Sequence, residues 1–149
     1  MTMVNGKNTD KKARILIADD HDLFREITKK IISNTSDLVV AAEAFNGKDI
    51  LDMVDNDHFD LIIIDLVLSG RSGFEILREV KAKKPFSHVL ILSAYFEELY
   101  EMSAFKNGAD GYVKKVLMAD ELVNAIRTIM QGGKYFKLAF DNDQQNVRI

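Results

Sequence analysis

Polar residues with the chemistry of metal and phosphate binding stand where short apolar runs of the sequence end. Three carboxylates, one hydroxyl and one ammonium group occupy such positions. Ligands of open α/β sheets bind beyond the carboxyl ends of the strands, so we expect these residues to meet at one edge. The set comprises Asp19 and Asp20 after the first run, Asp65 at the end of the third, Ser93 at the end of the fourth and Lys115 at the end of the fifth.

A cluster of three carboxylates needs a compensating positive charge. Two carboxylates about 5 Å apart repel each other by roughly 3 kcal/mol at an effective dielectric constant of about 20. One lysine cannot offset three negative charges, so a divalent cation is the natural ligand. The donors are all oxygen atoms and the sequence has no cysteine, which favours Mg²⁺ or Mn²⁺ over Zn²⁺. Since Mg²⁺ keeps coordination positions open for phosphate oxygens, the cluster predicts a site that handles a phosphoryl group.

Other ligand-binding motifs are absent or weak in the sequence. His21, His58 and His88 lie far apart along the chain, so we predict no histidine metal site. The glycine-rich patterns that bind nucleotides, G-x-x-x-x-G-K-[ST] and G-x-G-x-x-G, do not occur.

The elements that must position the polar residues follow from hydrophobic patterning. Five short runs are apolar or β-branched along nearly their whole length, which is typical of strands covered on both faces. Helical patterns separate them, and the weaker ones cover about 47–55 and 97–107. The alternation predicts an α/β fold, a doubly wound five-stranded parallel sheet flanked by five helices. The predicted strands are 14–18, 38–43, 60–65, 88–93 and 111–115.

Composition predicts one globular domain. The chain has 149 residues, of which 47% are hydrophobic and 29% charged, and its net charge is -3. This negative charge argues against a nucleic-acid or anionic-membrane surface. No apolar run approaches the roughly 20 residues of a membrane span. We therefore expect a cytoplasmic protein that does not contact a membrane.

Four stretches of the sequence resemble a known family, the receiver domain of bacterial response regulators, and in particular its NarL/FixJ-type members. They read "ILIADDHDLFRE", "ILSAY", "GADGYVKK" and "AIRTIMQGGKY". The resemblance implies a flavodoxin-like receiver fold over residues 13–137. It leaves 1–12 as a flexible N-terminal segment and 138–149 as a tail or the start of a linker.

The resemblance also implies a role for each acidic residue. Asp65 would accept a phosphoryl group from a sensor histidine kinase or a phosphotransfer protein. Asp19, Asp20, Asp65 and the backbone carbonyl of Val67 would surround Mg²⁺, with Mn²⁺ as a possible substitute. The protein would then be a phosphorylation-activated switch of a two-component system, and no enzyme beyond its own phosphotransfer and slow dephosphorylation.

The remaining family positions fall on two strand ends. Ser93 would hydrogen-bond a phosphoryl oxygen, and Tyr112 would be the aromatic residue that changes rotamer with it. The residues alone do not choose between Lys114 and Lys115. The family's spacing from aromatic residue to lysine points to Lys115 and leaves Lys114 exposed.

The sequence departs from the family pattern at several points. Leu68 and Ser69 replace the usual Met-Pro after the phosphorylated Asp, and Val116 replaces a proline that often follows a cis bond. We expect the Lys115–Val116 bond to be trans, since a cis bond without proline costs about 3 kcal/mol. NarL/FixJ-type proteins usually continue into a helix-turn-helix domain, whereas this chain stops first, so the receiver would be truncated or stand-alone.

These departures bear on partners. Control of transcription would run through a missing output domain or a protein partner, and we predict no direct DNA binding by residues 1–149. A homodimer could form through the first helix and the last (about 119–131), or through the face of the fifth strand around Tyr112.

Three other functions are alternatives to this interpretation. A Mg²⁺-dependent aspartyl phosphatase would need a second Asp where Val67 stands. A flavodoxin-like redox protein would need a phosphate loop where Asp19 and Asp20 would repel phosphate. An unphosphorylated, receiver-like interaction module is separated from the switch only by a phosphorylation assay.

Overall fold

A five-stranded parallel sheet forms the centre of the computed structural model, which describes residues 11–95, 97–137, 139–140 and 147–148. The strand order is β2-β1-β3-β4-β5, and every neighbouring pair is parallel. The predicted doubly wound sheet is thus confirmed. The strands are β1 (Ala13–Ala18), β2 (Leu38–Ala44), β3 (Leu61–Asp65), β4 (Val89–Ser93) and β5 (Gly111–Lys114).

Five helices follow the strands in alternation, as the sequence predicts. Both weak helical patterns are confirmed, as the second and fourth helices. The fifth strand ends at Lys114, one residue earlier than predicted, because a 3₁₀ turn (Lys115–Leu117) begins there. The helices are α1 (Asp22–Ser33), α2 (Gly47–Asn56), α3 (Gly73–Lys83), α4 (Glu98–Lys106) and α5 (Met118–Met130).

The core consists of two layers, one on each face of the sheet. Alternate residues of β1 show the division, since side chains of a strand point to opposite faces in turn. Ile15 and Ile17 pack in the layer that contains buried residues of α1 and α5. Leu16 and Ala18 pack in the layer that contains buried residues of α2, α3 and α4. Both layers hold the strands rigidly, and this fixes the residues that follow them.

Two short antiparallel pairings lie outside the main sheet and were not predicted. Val67–Leu68 pairs with Arg71–Ser72 directly after β3, and Ala139–Phe140 pairs with Val147–Arg148. Ser69 and Gly70 join the first pair with φ values of 51° and 80°, the positive values of a type I′ hairpin. The predicted N-terminal segment 1–12 lies outside the described residues except for residues 11 and 12. The predicted tail 138–149 lies outside them except for the four residues of the second pairing.

Candidate functional site

Two buried carboxylates lie at the carboxyl edge of the sheet. β1 and β3 are neighbours, so Asp19 directly after β1 and Asp65 at the end of β3 come together. Their relative exposures are 2% and 5%. The sequence prediction that strand ends bring these acids to one edge is therefore met for this pair.

Lys115 lies between the two carboxylates. Its Nζ atom is 3.0 Å from Asp65 Oδ2 and 3.1 Å from Asp19 Oδ2. The ammonium group also stands 4.3 Å from the ring centre of Phe24, a cation–π distance that supports its burial. Burial raises the pKa of Asp65 above its ordinary value; the charge of Lys115 opposes this rise and that of Asp19 adds to it.

Lys114 is half-buried, so the expectation that it would be exposed is wrong. It is the last residue of β5, whereas the turn that follows directs Lys115 into the site. The peptide bonds among the described residues are all trans, including Lys115–Val116, as predicted.

Asp20 is exposed, and the hairpin after β3 holds it in place. The backbone N–H of Ser69 donates to Asp20 Oδ2 at 2.8 Å, and the Ser69 hydroxyl lies 3.3 Å from the same oxygen. Ser69 Oγ also donates to the carbonyl oxygen of Phe45 at 2.8 Å. These bonds offset the cost of the positive φ at Ser69. Val67 begins the same hairpin, two residues beyond Asp65.

His21 belongs to the cluster, which the sequence reasoning missed. Its Nδ1 atom lies 3.3 Å from Asp19 Oδ1, 3.4 Å from Asp20 Oδ1 and 3.4 Å from Asp65 Oδ2. Its position next to the acidic pair is the sequence signal for this role, since the other two histidines lie far away along the chain.

The cluster fits a metal ion. Asp19, Asp20, His21 and Asp65 each offer one ligand atom, and these atoms all lie within 4.8 Å of one another. Asp19 Oδ2 is buried and accepts no hydrogen bond from the described residues, although Lys115 Nζ is near it. An unsatisfied buried acceptor costs about 1–3 kcal/mol, which a bound cation would offset.

Ser93 and Tyr112 lie on the neighbouring strands β4 and β5, and both are buried. Tyr95 links them. Its backbone N–H donates to Ser93 Oγ at 2.9 Å, and its carbonyl oxygen accepts a hydrogen bond from the Tyr112 hydroxyl at 3.2 Å. Burial raises the pKa of Tyr112, so its hydroxyl stays a donor at neutral pH.

Gly73, the first residue of α3, is a further residue that the sequence reasoning did not single out. A Cβ atom at this position would lie 2.5 Å from the backbone oxygen of Asp65 and 2.9 Å from the Cα of Leu66. Both neighbours are backbone atoms, so a side chain here would displace the segment that carries Asp65.

The sequence profile of the response regulator receiver domain matches residues 15–127. The chain belongs to this family. The transcriptional regulatory protein DegU of Brevibacillus brevis is 33% identical over 89% of this chain and 56% of its own length. A LuxR-family two-component response regulator from Aurantimonas sp. SI85-9A1 superposes with a TM-score of 0.80, at 30% identity over 84% of this chain and 89% of that one.

The fold agrees with isolated receiver domains. The signal receiver domain of a putative response regulator NarL from Mycobacterium tuberculosis superposes with a TM-score of 0.76, at 28% identity over 82% of this chain and 98% of that one. The chain spans a little more than half the length of the curated relatives it matches. Within the part of the chain that the structure describes, no helix is long and apolar enough to cross a membrane.

Proposed function

We propose that this receiver domain is a phosphorylation-activated switch whose phosphoacceptor is Asp65. One observation carries the proposal: the buried Lys115 contacts two buried carboxylates at the edge of the sheet, and Asp19 Oδ2 accepts no hydrogen bond from the residues that the structure describes. A lysine that only stabilised the fold would need one carboxylate, and hydrogen bonds would satisfy all its oxygens. A site for an added cation needs a second carboxylate and an oxygen that is free to bind the cation.

The chemistry follows from the arrangement. An Asp65 oxygen attacks the phosphorus of a phosphohistidine on a partner kinase or phosphotransfer protein. The P–O bond forms as the P–N bond breaks, and the imidazole leaves with the electron pair. Asp19, Asp20 and Asp65, with the Val67 carbonyl oxygen, would hold Mg²⁺ or Mn²⁺, whose charge offsets that of the transferred group. Lys115 keeps a positive charge beside the acyl phosphate that results.

Labelling with acetyl phosphate and Mg²⁺ tests the phosphoacceptor. Intact-mass spectrometry should find one added phosphoryl group that alkali removes, and Asp65→Asn should abolish it. Asp22→Asn is the matched control, since Asp22 is an exposed acid at the first position of α1 that makes an ion pair with Arg25. Undiminished labelling of Asp65→Asn would overturn the assignment. Failure of the wild type to label would favour an unphosphorylated interaction module.

The switch would run through Ser93 and Tyr112. Once Asp65 is phosphorylated, the Ser93 hydroxyl can donate to a phosphoryl oxygen, and the Tyr95 segment that both residues contact would rearrange. Inverting a 1:99 population takes about 5.5 kcal/mol of differential stabilisation, which several charge-assisted bonds can supply. Ser93→Ala should keep the labelling and reduce the response. Amide shifts on beryllofluoride addition that stay within the pocket would contradict this coupling.

The output is proposed to be control of transcription, because relatives such as DegU are named transcriptional regulators. Direct DNA binding by these 149 residues is not part of the proposal, since the chain carries a net charge of -3. An anisotropy titration should find no sequence-specific binding at physiological salt. The surface that responds would be the α1 and α5 pair or the β5 face, and the concentration dependence of sedimentation before and after phosphorylation would detect a homodimer.

A further inference from the structure

The imidazole of His21 contacts all three carboxylates of the site. Its Nδ1 atom lies 3.3–3.4 Å from one oxygen each of Asp19, Asp20 and Asp65. The backbone N–H of His21 also donates to Asp19 Oδ1 at 2.8 Å, and this bond fixes the loop that presents the ring. The position of the imidazole therefore does not depend on one long side-chain contact.

These three nitrogen–oxygen distances are compatible with atoms that share one metal ion, and all four ligand atoms lie within 4.8 Å of one another. Two atoms that bind an ion at about 2.1 Å, with a tetrahedral angle between the bonds, lie about 3.4 Å apart. All three nitrogen–oxygen distances have this value. The contact with Asp19 Oδ1 is also within hydrogen-bonding range, whereas those with Asp20 and Asp65 are longer than the usual length of a hydrogen bond, about 2.7–3.2 Å.

A second observation, besides the distances from Nδ1, concerns an oxygen atom of Asp19. Asp19 is 2% exposed, and its Oδ2 atom accepts no hydrogen bond from the described residues. Lys115 Nζ lies 3.1 Å away but outside hydrogen-bonding geometry. This buried oxygen is available as a ligand, whereas Asp19 Oδ1, the oxygen nearest His21 Nδ1, already accepts a hydrogen bond from the His21 N–H.

We propose that His21 Nδ1 is a fourth side-chain ligand of this site, which then accepts Zn²⁺ and related transition ions as well as Mg²⁺. The inference rests on the proposed metal site and deepens it. Imidazole nitrogen suits Zn²⁺, Co²⁺ and Ni²⁺, whereas Mg²⁺ takes oxygen ligands and gains little from it. Four protein ligands close a tetrahedral site, so bound Zn²⁺ leaves no position for a phosphoryl oxygen. Zn²⁺ would therefore inhibit phosphorylation of Asp65.

The alternative role for His21 predicts the opposite sign. If the ring is only a cation that neutralises the carboxylates, it competes with any metal, and its removal strengthens metal binding. If the ring is a ligand, its removal weakens the binding of Zn²⁺ and leaves that of Mg²⁺ nearly unchanged.

Competition titrations with a zinc indicator test the proposal on the wild type, His21→Gln and the matched control His58→Gln. His58 is also an exposed histidine beside a carboxylate, with Nε2 3.1 Å from Asp60 Oδ1, but it does not contact the site. His21→Gln should weaken Zn²⁺ binding by about tenfold or more and change Mg²⁺ binding by less than about threefold. His58→Gln should change neither.

Two further readouts complete the test. Long-range ¹H–¹⁵N spectra of the wild type should show that Zn²⁺ shifts the His21 Nδ1 resonance. The nitrogen resonances of the other histidines should shift much less. An unchanged or higher Zn²⁺ affinity of His21→Gln, or an unshifted Nδ1 resonance, would overturn the inference. Mg²⁺-dependent labelling of Asp65 in the same variants separates the two proposals: if labelling persists, only the role of His21 falls.

Discussion

Removal of the Asp65 charge should stabilise the metal-free fold. Asp65 is 5% exposed, and burial and Asp19 raise its pKa in the folded state despite Lys115. A carboxyl group with a raised folded pKa adds stability that is fully present below its unfolded pKa, near 3.8. That stability is lost as pH rises through the folded pKa. At pH 7 the ionised group therefore costs stability, and Asp65→Asn removes the cost.

The size of the effect follows from the linkage relation. Each unit by which the folded pKa exceeds the unfolded pKa costs about 1.4 kcal/mol at pH 7, so Asp65→Asn should be more stable than the wild type at that pH. For a domain of this size, each kcal/mol gained raises Tm by about 2–4 °C. The difference should shrink as pH falls through the folded pKa and should be smallest below about 3.8, the unfolded pKa, where the carboxyl is largely protonated in both states.

Urea unfolding in EDTA, followed by circular dichroism at pH 7 and pH 4, measures this difference. Asp22→Asn is again the control and should change stability little, because Asp22 is 90% exposed. Saturating Mg²⁺ should stabilise the wild type more than Asp65→Asn, since a ligand stabilises by about RT ln(1 + [L]/Kd). The reasoning would be refuted if metal-free Asp65→Asn were less stable than the wild type at pH 7. It would also be refuted if Mg²⁺ stabilised the two proteins equally.

Three further predictions concern residues around the site and the core. Gly73→Ala should destabilise the fold by about 1–3 kcal/mol and slow labelling of Asp65, because its Cβ would meet the Asp65 backbone; normal labelling kinetics would contradict this. Burial raises the pKa of Asp110, but hydrogen bonds from Lys134 and from the Val89 N–H lower it by more. The net pKa of Asp110 therefore lies below its ordinary value. Asp110→Asn should thus cost about 1–3 kcal/mol at pH 7, and the loss should shrink as pH falls below about 4, as urea titrations will show. Tyr112→Phe should keep labelling but change the beryllofluoride-induced shifts of the Tyr95 amide, whose residue accepts the Tyr112 hydrogen bond.

The sequence was sufficient for the sheet because its strands are buried on both faces. A run such as 60–65 is apolar along its length, and the strand observed is Leu61–Asp65. Helices between such runs imply parallel crossovers, and parallel strands put their carboxyl ends at one edge. This is why Asp19, Asp65 and Lys115 could be placed together before any distance was known.

The parts that were missed depend on local geometry that patterning does not contain. The hairpin after β3 turns at Ser69-Gly70, a weaker signal for a type I′ turn than Asn-Gly, and the bonds from Ser69 to Asp20 and Phe45 are long-range. The contact of the His21 ring with the carboxylates depends on the local conformation of the loop, in which the His21 N–H donates to Asp19 Oδ1. Strand periodicity also could not show that the chain leaves β5 one residue early, which decides how Lys114 and Lys115 are buried.

Lys115 and Tyr95 connect the proposed chemistry to the rest of the fold. Lys115 donates to Asp65 Oδ2 and begins the 3₁₀ turn that leads into α5. A phosphoryl group on Asp65 would change the oxygen that Lys115 contacts, and a shift of this short turn would reach α5. Tyr95 holds Ser93 on one side and Tyr112 on the other. A Ser93 hydroxyl that turns to a phosphoryl oxygen would therefore alter the support of a buried tyrosine on β5, and both routes from Asp65 end at the β5 and α5 side of the molecule.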